Sequence, residues 1–352
     1  MTQHTEATEA AGRIKVALLT GGDSSERPVA FLSARAMAEA LSRDKFAVAI
    51  FDVSEVETRA ANPSLGEDVL GKKPSHVIVG VEWNTLVTQL YTTGFDVVLP
   101  ALHGGRGEDG TLQALLEVAG IPYAGSDGHT SALAIDKAVT KAFLSSLGIA
   151  TPRGQVFGSW AEAEASGGKL TPAACVVKPN EGGSSVATTI FRAAPTPEAL
   201  KRAVESALAD GSAALIEELI VGVEVTAAVL GEGAGARVLP LLEIVPRGEF
   251  YDFASKYEAG GSQHITPPRL SRDILSRVEA TALRAHRALG CRGVARSDFI
   301  VTPEGEVFLL EVNTLPGMTQ TSLVPDAARA AGIEFPELVE RLLLAALERA
   351  SS

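Results

Sequence analysis

The sequence predicts an α/β domain at the N-terminus, followed by α+β domains built on antiparallel strands. The apolar run IKVALLT begins at Ile14, breaks at Gly21-Gly22, and leads into a helical pattern from Pro28 to Leu41, which makes a βα unit. The run DVVLPAL, residues 96–102, is apolar throughout, as is typical of a strand in a parallel sheet. Further along, ACVVKPNEGGSSVATTIF, residues 174–191, reads as two antiparallel strands joined by a glycine-rich turn.

Length and composition exclude several classes of protein. The chain has 352 residues, 46% of them hydrophobic, which is enough to bury a large core in two or three domains. Its net charge of −12 argues against sequence-independent binding of nucleic acid or of an anionic membrane. The polar segment 1–12 predicts a disordered tail without a signal peptide, and no apolar run is long enough to cross a bilayer. Cys175 and Cys291 lie far apart, which predicts no disulfide and fits a reducing cytosol.

The clearest chemical signal is a predicted β-hairpin, residues 296–313, with its turn at Pro303-Glu304-Gly305-Glu306. Pairing Thr302 with Val307 across this turn aligns two further pairs on one face, namely Arg296 with Asn313 and Asp298 with Glu311. The opposite face, which we expect to be buried, then holds Ser297, Phe299, Val301, Phe308, Leu310 and Val312.

Two of the aligned residues, Asp298 and Glu311, are acids whose Cβ atoms would lie about 5 Å apart. Like charges so placed destabilise a sheet unless a positive group lies between them. Because Mg²⁺ binds hard oxygen ligands, the two carboxylates and the amide oxygen of Asn313 predict a magnesium site. The alternative is a solvated face on which the two acids lean apart.

Other candidate residues lie at predicted strand ends and helix starts. Glu26 begins the first helix, where it either complements the helix dipole or orients a substrate ammonium. His103 opens the segment HGGRGEDG after strand 96–102, at the edge where α/β sheets bind ligands. Lys178 ends an apolar strand beside a Gly-Gly-Ser-Ser tip whose backbone N–H groups could bind phosphates. The long loop 247–268 is typical of a lid.

Three acids, Glu217, Glu218 and Glu224, flank the end of another buried strand. Their positions suit an adenine amino group and ribose hydroxyls, although each acid taken alone is better explained as an edge-strand charge. Lys137 and Lys141 lie on a helix predicted from residue 131 to residue 147, and either could be a solvated helix charge.

The segments GGDSSE, LHGGRGEDGTLQ, PYAGS, IDKAVTK, VKPNEGGSSV, EFYDFASKY, ARSDF and LLEVNTLPGMTQTSLVP resemble the D-alanine–D-alanine ligase family of the ATP-grasp superfamily. They occur in family order and cover nearly the whole chain from residue 14 onward. The resemblance implies an ATP-grasp fold in a three-domain arrangement. Its parts would be an α/β N-terminal domain (13–128), a central subdomain (129–216) and an α+β C-terminal domain (217–352) with the lid loop.

The same resemblance implies three sets of site residues. Those that would bind ATP are Lys137, Lys178, Ser185, Glu217, Glu218, Glu224 and Lys256. Those that would hold two Mg²⁺ are Asp298, Glu311 and Asn313, with Mn²⁺ as an alternative metal and a K⁺ requirement left open. Those that would act on D-alanine are Glu26, Ser184, Tyr257, Arg296, Gly317 and Ser322, with His103 in a substrate loop.

Individual roles follow from the family by motif. Lys137 and Lys178 would hold phosphates, and Lys256 would lie near them. Glu217 would bind the adenine, and Glu224 the ribose. Glu26 and Ser322 would position the first D-alanine. Arg296 and the backbone N–H of Gly317 would stabilise the tetrahedral intermediate, while Ser184 and Tyr257 would join across the closed lid.

The implied activity is ATP-dependent formation of D-alanyl-D-alanine through an acyl phosphate, for peptidoglycan and cell wall synthesis. The resemblance also implies a cytoplasmic homodimer that acts on small molecules. Two alternatives stay open: another ATP-grasp ligase, such as one that joins D-alanine to D-lactate, and a non-catalytic nucleotide-binding paralogue. The chain departs from the family at Gly182, where some members have glutamate, and at Ala187, where glycine is usual.

Overall fold

The computed structural model describes residues 12–55, 78–166, 174–183, 187–209, 211–246 and 262–351. The predicted disordered tail therefore lies almost wholly outside the described residues. Contacts between residues divide the chain into two compact units, one comprising residues 1–131, 292–294 and 315–352 and the other comprising residues 132–291 and 295–314.

The first strand and the first helix of the chain form a βα unit, and further helices and strands follow as far as residue 146. They are β1 (Ile14–Gly21), α1 (Arg27–Ala40), β2 (Phe46–Val53), β3 (Ile78–Val81), α2 (Leu86–Thr93), β4 (Val97–Pro100), α3 (Thr111–Val118), α4 (Gly128–Ile135) and α5 (Lys137–Ser146).

The remaining elements are mostly strands until the long helix that precedes the hairpin. They are β5 (Gly154–Phe157), α6 (Trp160–Ala165), β6 (Cys175–Pro179), β7 (Thr189–Phe191), α7 (Pro197–Ala207), β8 (Ala214–Glu218), β9 (Val223–Leu230), β10 (Arg237–Val238), β11 (Leu242–Pro246), β12 (Ser262–Ile265), α8 (Arg272–Leu289), β13 (Val294–Val301), β14 (Val307–Asn313), α9 (Leu323–Ala330) and α10 (Phe335–Ala350).

A parallel sheet forms the centre of the first unit. Within the described residues, its strands follow the order β3-β2-β1-β4, and every neighbouring pair is parallel. Val16, Ala17, Leu18 and Leu19 are fully buried in succession, as expected of a strand whose two faces are both covered. The α/β prediction for the N-terminal part is therefore confirmed.

The described part of the second unit contains two sheets. One has the order β5-β8-β6-β7 and is antiparallel, which confirms the predicted β6–β7 pair. The other has the order β12-β11-β9-β13-β14, with β10 paired to β9. Helix α8 packs against this second sheet through Val278, Ala282, Ala285 and Leu289, which recur at helical spacing and join the same core as Phe299.

The single helix predicted from residue 131 to residue 147 is wrong, because the chain breaks at Asp136 into α4 and α5. Asp136 is the N-cap of α5, and its Oδ1 accepts a hydrogen bond of 2.9 Å from the backbone N–H of Val139. Aspartate is among the best N-cap residues, since its side chain satisfies a free N–H of the first turn. The break places Lys137 at the first position of α5.

The predicted hairpin register is right at the acids and wrong near the turn. Asp298 pairs with Glu311 and Arg296 with Asn313, as predicted. The register then shifts at a β-bulge after Asp298, so that Val301 rather than Thr302 pairs with Val307.

The bulge also changes which residues of the hairpin are buried. Leu310 is the extra residue, and beyond it the alternation of faces reverses. Leu309 is fully buried, whereas Phe308 and Leu310, both predicted to be buried, are only half-buried. The remaining four predicted positions are buried, namely Ser297, Phe299, Val301 and Val312.

The prediction of an irregular loop over residues 247–268 is wrong at its C-terminal end. Residues 262–265 form β12, which pairs antiparallel with β11 and places Ile265 opposite Glu243. Backbone hydrogen bonding to β11 thus extends the sheet into the segment predicted to be irregular. Residues 247–261 lie outside the described part of the chain. Among the described helices, none is long and apolar enough to span a membrane.

Candidate functional site

The start of α5 is tied to the glycine-rich segment that follows β6. The backbone N–H of Lys137 donates to the Asn180 carbonyl at 3.1 Å, and the Asn180 Oδ1 accepts from the N–H of Ala138 at 3.0 Å. The Lys137 Nζ donates to the carbonyl of Gly182 at 2.6 Å and lies 3.6 Å from Glu311 Oε2. The predicted phosphate lysine is thus held between the glycine tip and a hairpin acid.

A second lysine, Lys178, lies on the strand next to Glu217. Strands β6 and β8 are neighbours, and the Lys178 Nζ is 2.6 Å from Glu217 Oε1. Burial opposes the charge on Lys178, but the carboxylates of Glu217 and Glu311 outweigh it and raise the pKa of Lys178. Burial likewise opposes the charge on Glu217, yet Lys178 and Lys141 keep its pKa below the usual range.

Lys141 also contacts Glu217, although the sequence analysis assigned it no role beyond a solvated charge on a helix. Its Nζ donates to Glu217 Oε2, and both side chains are buried. Lys141 lies one turn after Lys137, so the two ammonium groups share one face of α5. That spacing is the sequence signal that could have identified it. Burial, reinforced by the charge on Lys178, lowers the pKa of Lys141 to about 8.

A cavity of about 440 Å³ lies in the second unit over these residues, a size ordinary for a small-molecule site. It brings together seven predicted site residues, Lys137, Lys178, Glu217, Glu218, Glu224, Asp298 and Glu311. Its apolar walls include Ile220, Val245 and the bulge residue Leu310. Two arginines that the sequence did not single out, Arg192 and Arg269, also line it.

Glu218 and Arg269 each form an ion pair at the cavity wall. Glu218 Oε2 accepts from Arg153 Nη2 at 2.9 Å, and Glu243 Oε1 accepts from Arg269 Nε at 3.0 Å. The Arg269 hydrogen bonds hold the pKa of the buried Glu243 carboxyl below its ordinary value. Glu218 therefore has a protein partner in addition to its predicted nucleotide role.

Two side chains in the described part of the chain donate hydrogen bonds to the hairpin acid Asp298. Arg296 donates from Nε to Oδ1 at 2.9 Å and from Nη2 to Oδ2 at 2.8 Å. Thr226 on β9 donates from Oγ1 to Asp298 Oδ1 at 2.6 Å. Sequence reasoning missed Thr226, because nothing local to β9 indicates that β13 is its neighbour. Both acids also have cationic protein neighbours, since Arg296 pairs with Asp298 and the Lys137 Nζ lies 3.6 Å from Glu311 Oε2.

The donor set on the hairpin fits a hard cation. Asp298, Glu311 and Asn313 occupy one face through the confirmed pairing, and they offer two carboxylates and an amide oxygen. Within the residues that the structure describes, no three His, Cys, Asp or Glu side chains converge as a metal-binding group. Two carboxylates completed by substrate oxygens are the arrangement usual for Mg²⁺.

Four residues that were predicted to belong to the D-alanine site are in the described part of the first unit. They lie in two places. Glu26 is buried at the N-cap of α1, where Gly104 packs so closely that an added Cβ would lie 3.2 Å from Glu26 Oε2. His103 is also buried, with Nε2 3.1 Å from Ser33 Oγ and Nδ1 3.5 Å from Glu108 Oε1.

Gly317 and Ser322 form the second place. A Cβ added to Gly317 would lie 3.1 Å from Ser322 Oγ, and Ser322 is the N-cap of α9. The Ser322 hydroxyl accepts from the backbone N–H of Thr319 at 3.1 Å. The other predicted residues, Ser184, Ser185, Lys256 and Tyr257, lie outside the described part of the chain.

A nucleotide-sized cavity lined by strands of two sheets, with buried lysines and paired hairpin acids, defines the ATP-grasp class of protein. The family profile "D-ala D-ala ligase N-terminus" matches residues 15–126, and "D-ala D-ala ligase C-terminus" matches residues 161–344. The chain belongs to the D-alanine–D-alanine ligase family.

Similar proteins cover almost the whole chain. The D-alanine–D-alanine ligase of Moorella thermoacetica is 42% identical over 346 residues, which is 95% of this chain and 100% of the relative. That of Desulforudis audaxviator is 42% identical over 337 residues, covering 95% and 99%.

Solved structures agree with the fold. The D-alanine–D-alanine ligase from Bacillus anthracis complexed with ATP has a TM-score of 0.71 at 29% identity, covering 97% of this chain and 99% of that one. The VanG D-Ala:D-Ser ligase from Enterococcus faecalis has a TM-score of 0.73 at 30% identity, covering 95% and 99%.

Proposed function

We propose that this chain joins two D-alanine molecules into D-alanyl-D-alanine at the expense of ATP, for peptidoglycan precursor synthesis. The observation that carries the proposal is the cavity in the second unit, in which Lys137, Lys178 and Glu217 meet the hairpin acids Asp298 and Glu311. Relatives named for this activity match 95% of the chain, which supports the same substrate pair.

In this proposal the cavity binds ATP. Lys137 and Lys178 neutralise phosphate charge, and the Gly182 carbonyl that now accepts from Lys137 becomes free when the ammonium turns to a phosphate. Glu217 accepts from the adenine amino group and Glu224 from the ribose. The apolar side chains of Ile220 and Leu310 suit the faces of the base.

The proposed metal is Mg²⁺, held by Asp298, Glu311 and Asn313. Bound there, it would supply a Lewis acid that offsets charge on the transferring phosphoryl group. Asp298 can give up part of its contact with Arg296, since Thr226 still donates to the same carboxylate.

The proposed chemistry follows from the ionisation of the D-alanine carboxyl group. An ionised carboxylate is a poor electrophile, so the first D-alanine attacks the γ-phosphate to give an acyl phosphate and ADP. The neutral amine of the second D-alanine then attacks the acyl carbon and displaces phosphate, leaving the dipeptide. Arg296 carries hydrogen-bond donors for the oxyanion of this second step. The roles of Glu26, His103, Gly317 and Ser322 toward D-alanine stay predictions.

Steady-state assays test the proposal. With ATP and Mg²⁺, we expect ADP release that requires D-alanine, and mass spectrometry should identify D-alanyl-D-alanine as the product. L-alanine should give no ADP as first substrate. Equal ADP release with both enantiomers, or depsipeptide from D-lactate as readily as dipeptide, would contradict the assignment.

We also infer a cytoplasmic homodimer. Cys175 and Cys291 are both buried and form no disulfide with each other, which is compatible with a reducing compartment. Light scattering on the purified chain should give twice the monomer mass of 36.6 kDa, and a monomer mass at micromolar concentration would refute the dimer.

A further inference from the structure

The cluster behind the cavity contains one carboxylate and two ammonium groups. Lys178 binds one oxygen of Glu217, and Lys141 binds the other. All three side chains are almost inaccessible to solvent, with 12%, 8% and 3% exposure for Lys178, Lys141 and Glu217. Lys178 and Glu217 line the cavity, whereas Lys141 reaches Glu217 from α5 without lining it.

The two lysines are not equivalent once the cavity is occupied. A phosphate in the cavity competes with Glu217 for the ammonium of Lys178, because both are anions within reach of one group. Lys141 has no such competitor, since it does not line the cavity. In the occupied state, Lys141 is therefore the cation that stays on Glu217.

We propose that Lys141 is a positioning residue that keeps Glu217 ionised and oriented, and that it thereby selects a nucleotide base with an exocyclic amino donor over one with a carbonyl acceptor. The inference rests on the proposed nucleotide role of the cavity and names a specificity determinant of that site.

The selection follows from the hydrogen-bonding capacity of a carboxyl group. An ionised carboxylate only accepts, so it binds the 6-amino group of adenine and repels the 6-carbonyl oxygen of guanine. A neutral carboxylic acid carries one O–H donor and can bind that carbonyl. Because burial favours the neutral acid, Glu217 discriminates only while a cation holds it in the ionised form.

The charge state of Lys141 suits this role. Burial lowers its pKa only to about 8, so the ammonium still carries its charge near neutral pH. The other charged groups that act on Glu217 are Lys178 from β6 and the neighbouring Glu218 on β8.

The test measures nucleotide preference in three variants. Lys141→Met removes the ammonium and keeps most of the side-chain volume, and Lys141→Arg keeps the charge. Lys201→Met removes an exposed lysine of α7 that pairs with Glu205, and serves as the matched control. For each protein, calorimetry gives the affinities for ATP and GTP with Mg²⁺ and no D-alanine, and kinetics give kcat/KM for both nucleotides.

We expect Lys141→Met to lower the ratio of ATP affinity to GTP affinity at least tenfold, mainly through weaker ATP and stronger GTP binding. Lys141→Arg should restore most of the ratio, and Lys201→Met should leave it at the wild-type value. If Lys141→Met does not fold, the double variant Lys141→Met/Glu217→Gln removes both charges of the pair and should show the same low ratio.

Two outcomes overturn the inference: a ratio in Lys141→Met equal to the wild-type ratio, including the case of a proportional loss of both affinities, or wild-type protein that binds ATP and GTP equally. A proportional loss would mean that Lys141 is only structural. Failure of the wild-type protein to bind ATP at all would instead refute the proposed function, so the two failures are distinguishable.

Discussion

The hydroxyl of Thr226 offers the sharpest test of how the hairpin acid is held. Thr226 is buried, and its Oγ1 donates to Asp298 Oδ1 at 2.6 Å. Thr226→Val replaces only that hydroxyl by a methyl group. A hydrogen bond to a charged group contributes about 1.5–3 kcal/mol. Arg296 still donates to Asp298 in the variant, so we expect a loss of about 1.5 kcal/mol, at the lower end of that range.

Two measurements follow from this loss. In a unit of this size, 1 kcal/mol lowers the midpoint of thermal unfolding by about 2–4 °C. Without ligands, the expected drop in the midpoint is therefore about 3–6 °C. Loss of a hydrogen bond to a metal-binding carboxylate typically costs about 10- to 100-fold in metal affinity or activity. The Mg²⁺ concentration for half-maximal ADP release should then rise about tenfold.

Thr226→Ser is the matched control, because it keeps the hydroxyl and loses a methyl group. Its cost should be about 0.8 kcal/mol, with the Mg²⁺ requirement unchanged. If Thr226→Val leaves stability and Mg²⁺ requirement as in the wild type, the hydrogen bond does not position Asp298. An equal shift in Mg²⁺ requirement for both variants would assign the effect to packing.

Three other predictions concern single residues. Glu311→Gln should abolish Mg²⁺-dependent ADP release while changing the free energy of unfolding by less than about 1 kcal/mol, because relief of repulsion offsets the lost Lys137 contact; a large loss of stability would make Glu311 structural. Ala187 has φ +53°, which costs about 1–2 kcal/mol for a side chain, so Ala187→Gly should raise the thermal midpoint, and a fall would contradict this. Arg269 depresses the pKa of Glu243 below 4.5, so the stability from this pair is full above pH 4.5 and is lost as pH falls through the lowered pKa; denaturant titrations of Glu243→Gln at pH 7 and pH 3.5 should show a smaller pH dependence than the wild type.

The sequence correctly predicted that Asp298 and Glu311 face each other, although the predicted strand register was wrong between the bulge and the turn. It assumed regular pairing from the turn inward, whereas Thr302 belongs to the turn and Leu310 is extra. The two errors cancel, so Asp298 still faces Glu311. A β-bulge is set by how the strand packs and twists within its sheet, and alternation of residue types does not reveal it.

The lysines show a similar limit. Lys137 and Lys178 could be singled out, the first through the family resemblance and the second because it ends an apolar strand beside a glycine-rich tip. Apart from its one-turn spacing from Lys137, Lys141 looks in the sequence like any other helix lysine. Its role depends on Glu217, which lies 76 residues further along the chain. Burial of Lys141, Lys178 and Glu217, and therefore the shift in the pKa of each, exists only in the folded protein.

The sequence by itself determined the local features of this protein: the strand runs, the glycine turns, the apolar faces of the helices and the residue types of the site. These depend on side-chain chemistry within a few neighbouring residues. Only the tertiary structure decided that Thr226 binds Asp298 from 72 residues away and that Lys141 binds Glu217. The physical reason is that hydrophobic periodicity shows which face of a helix or strand is buried, but it does not show which distant element covers that face.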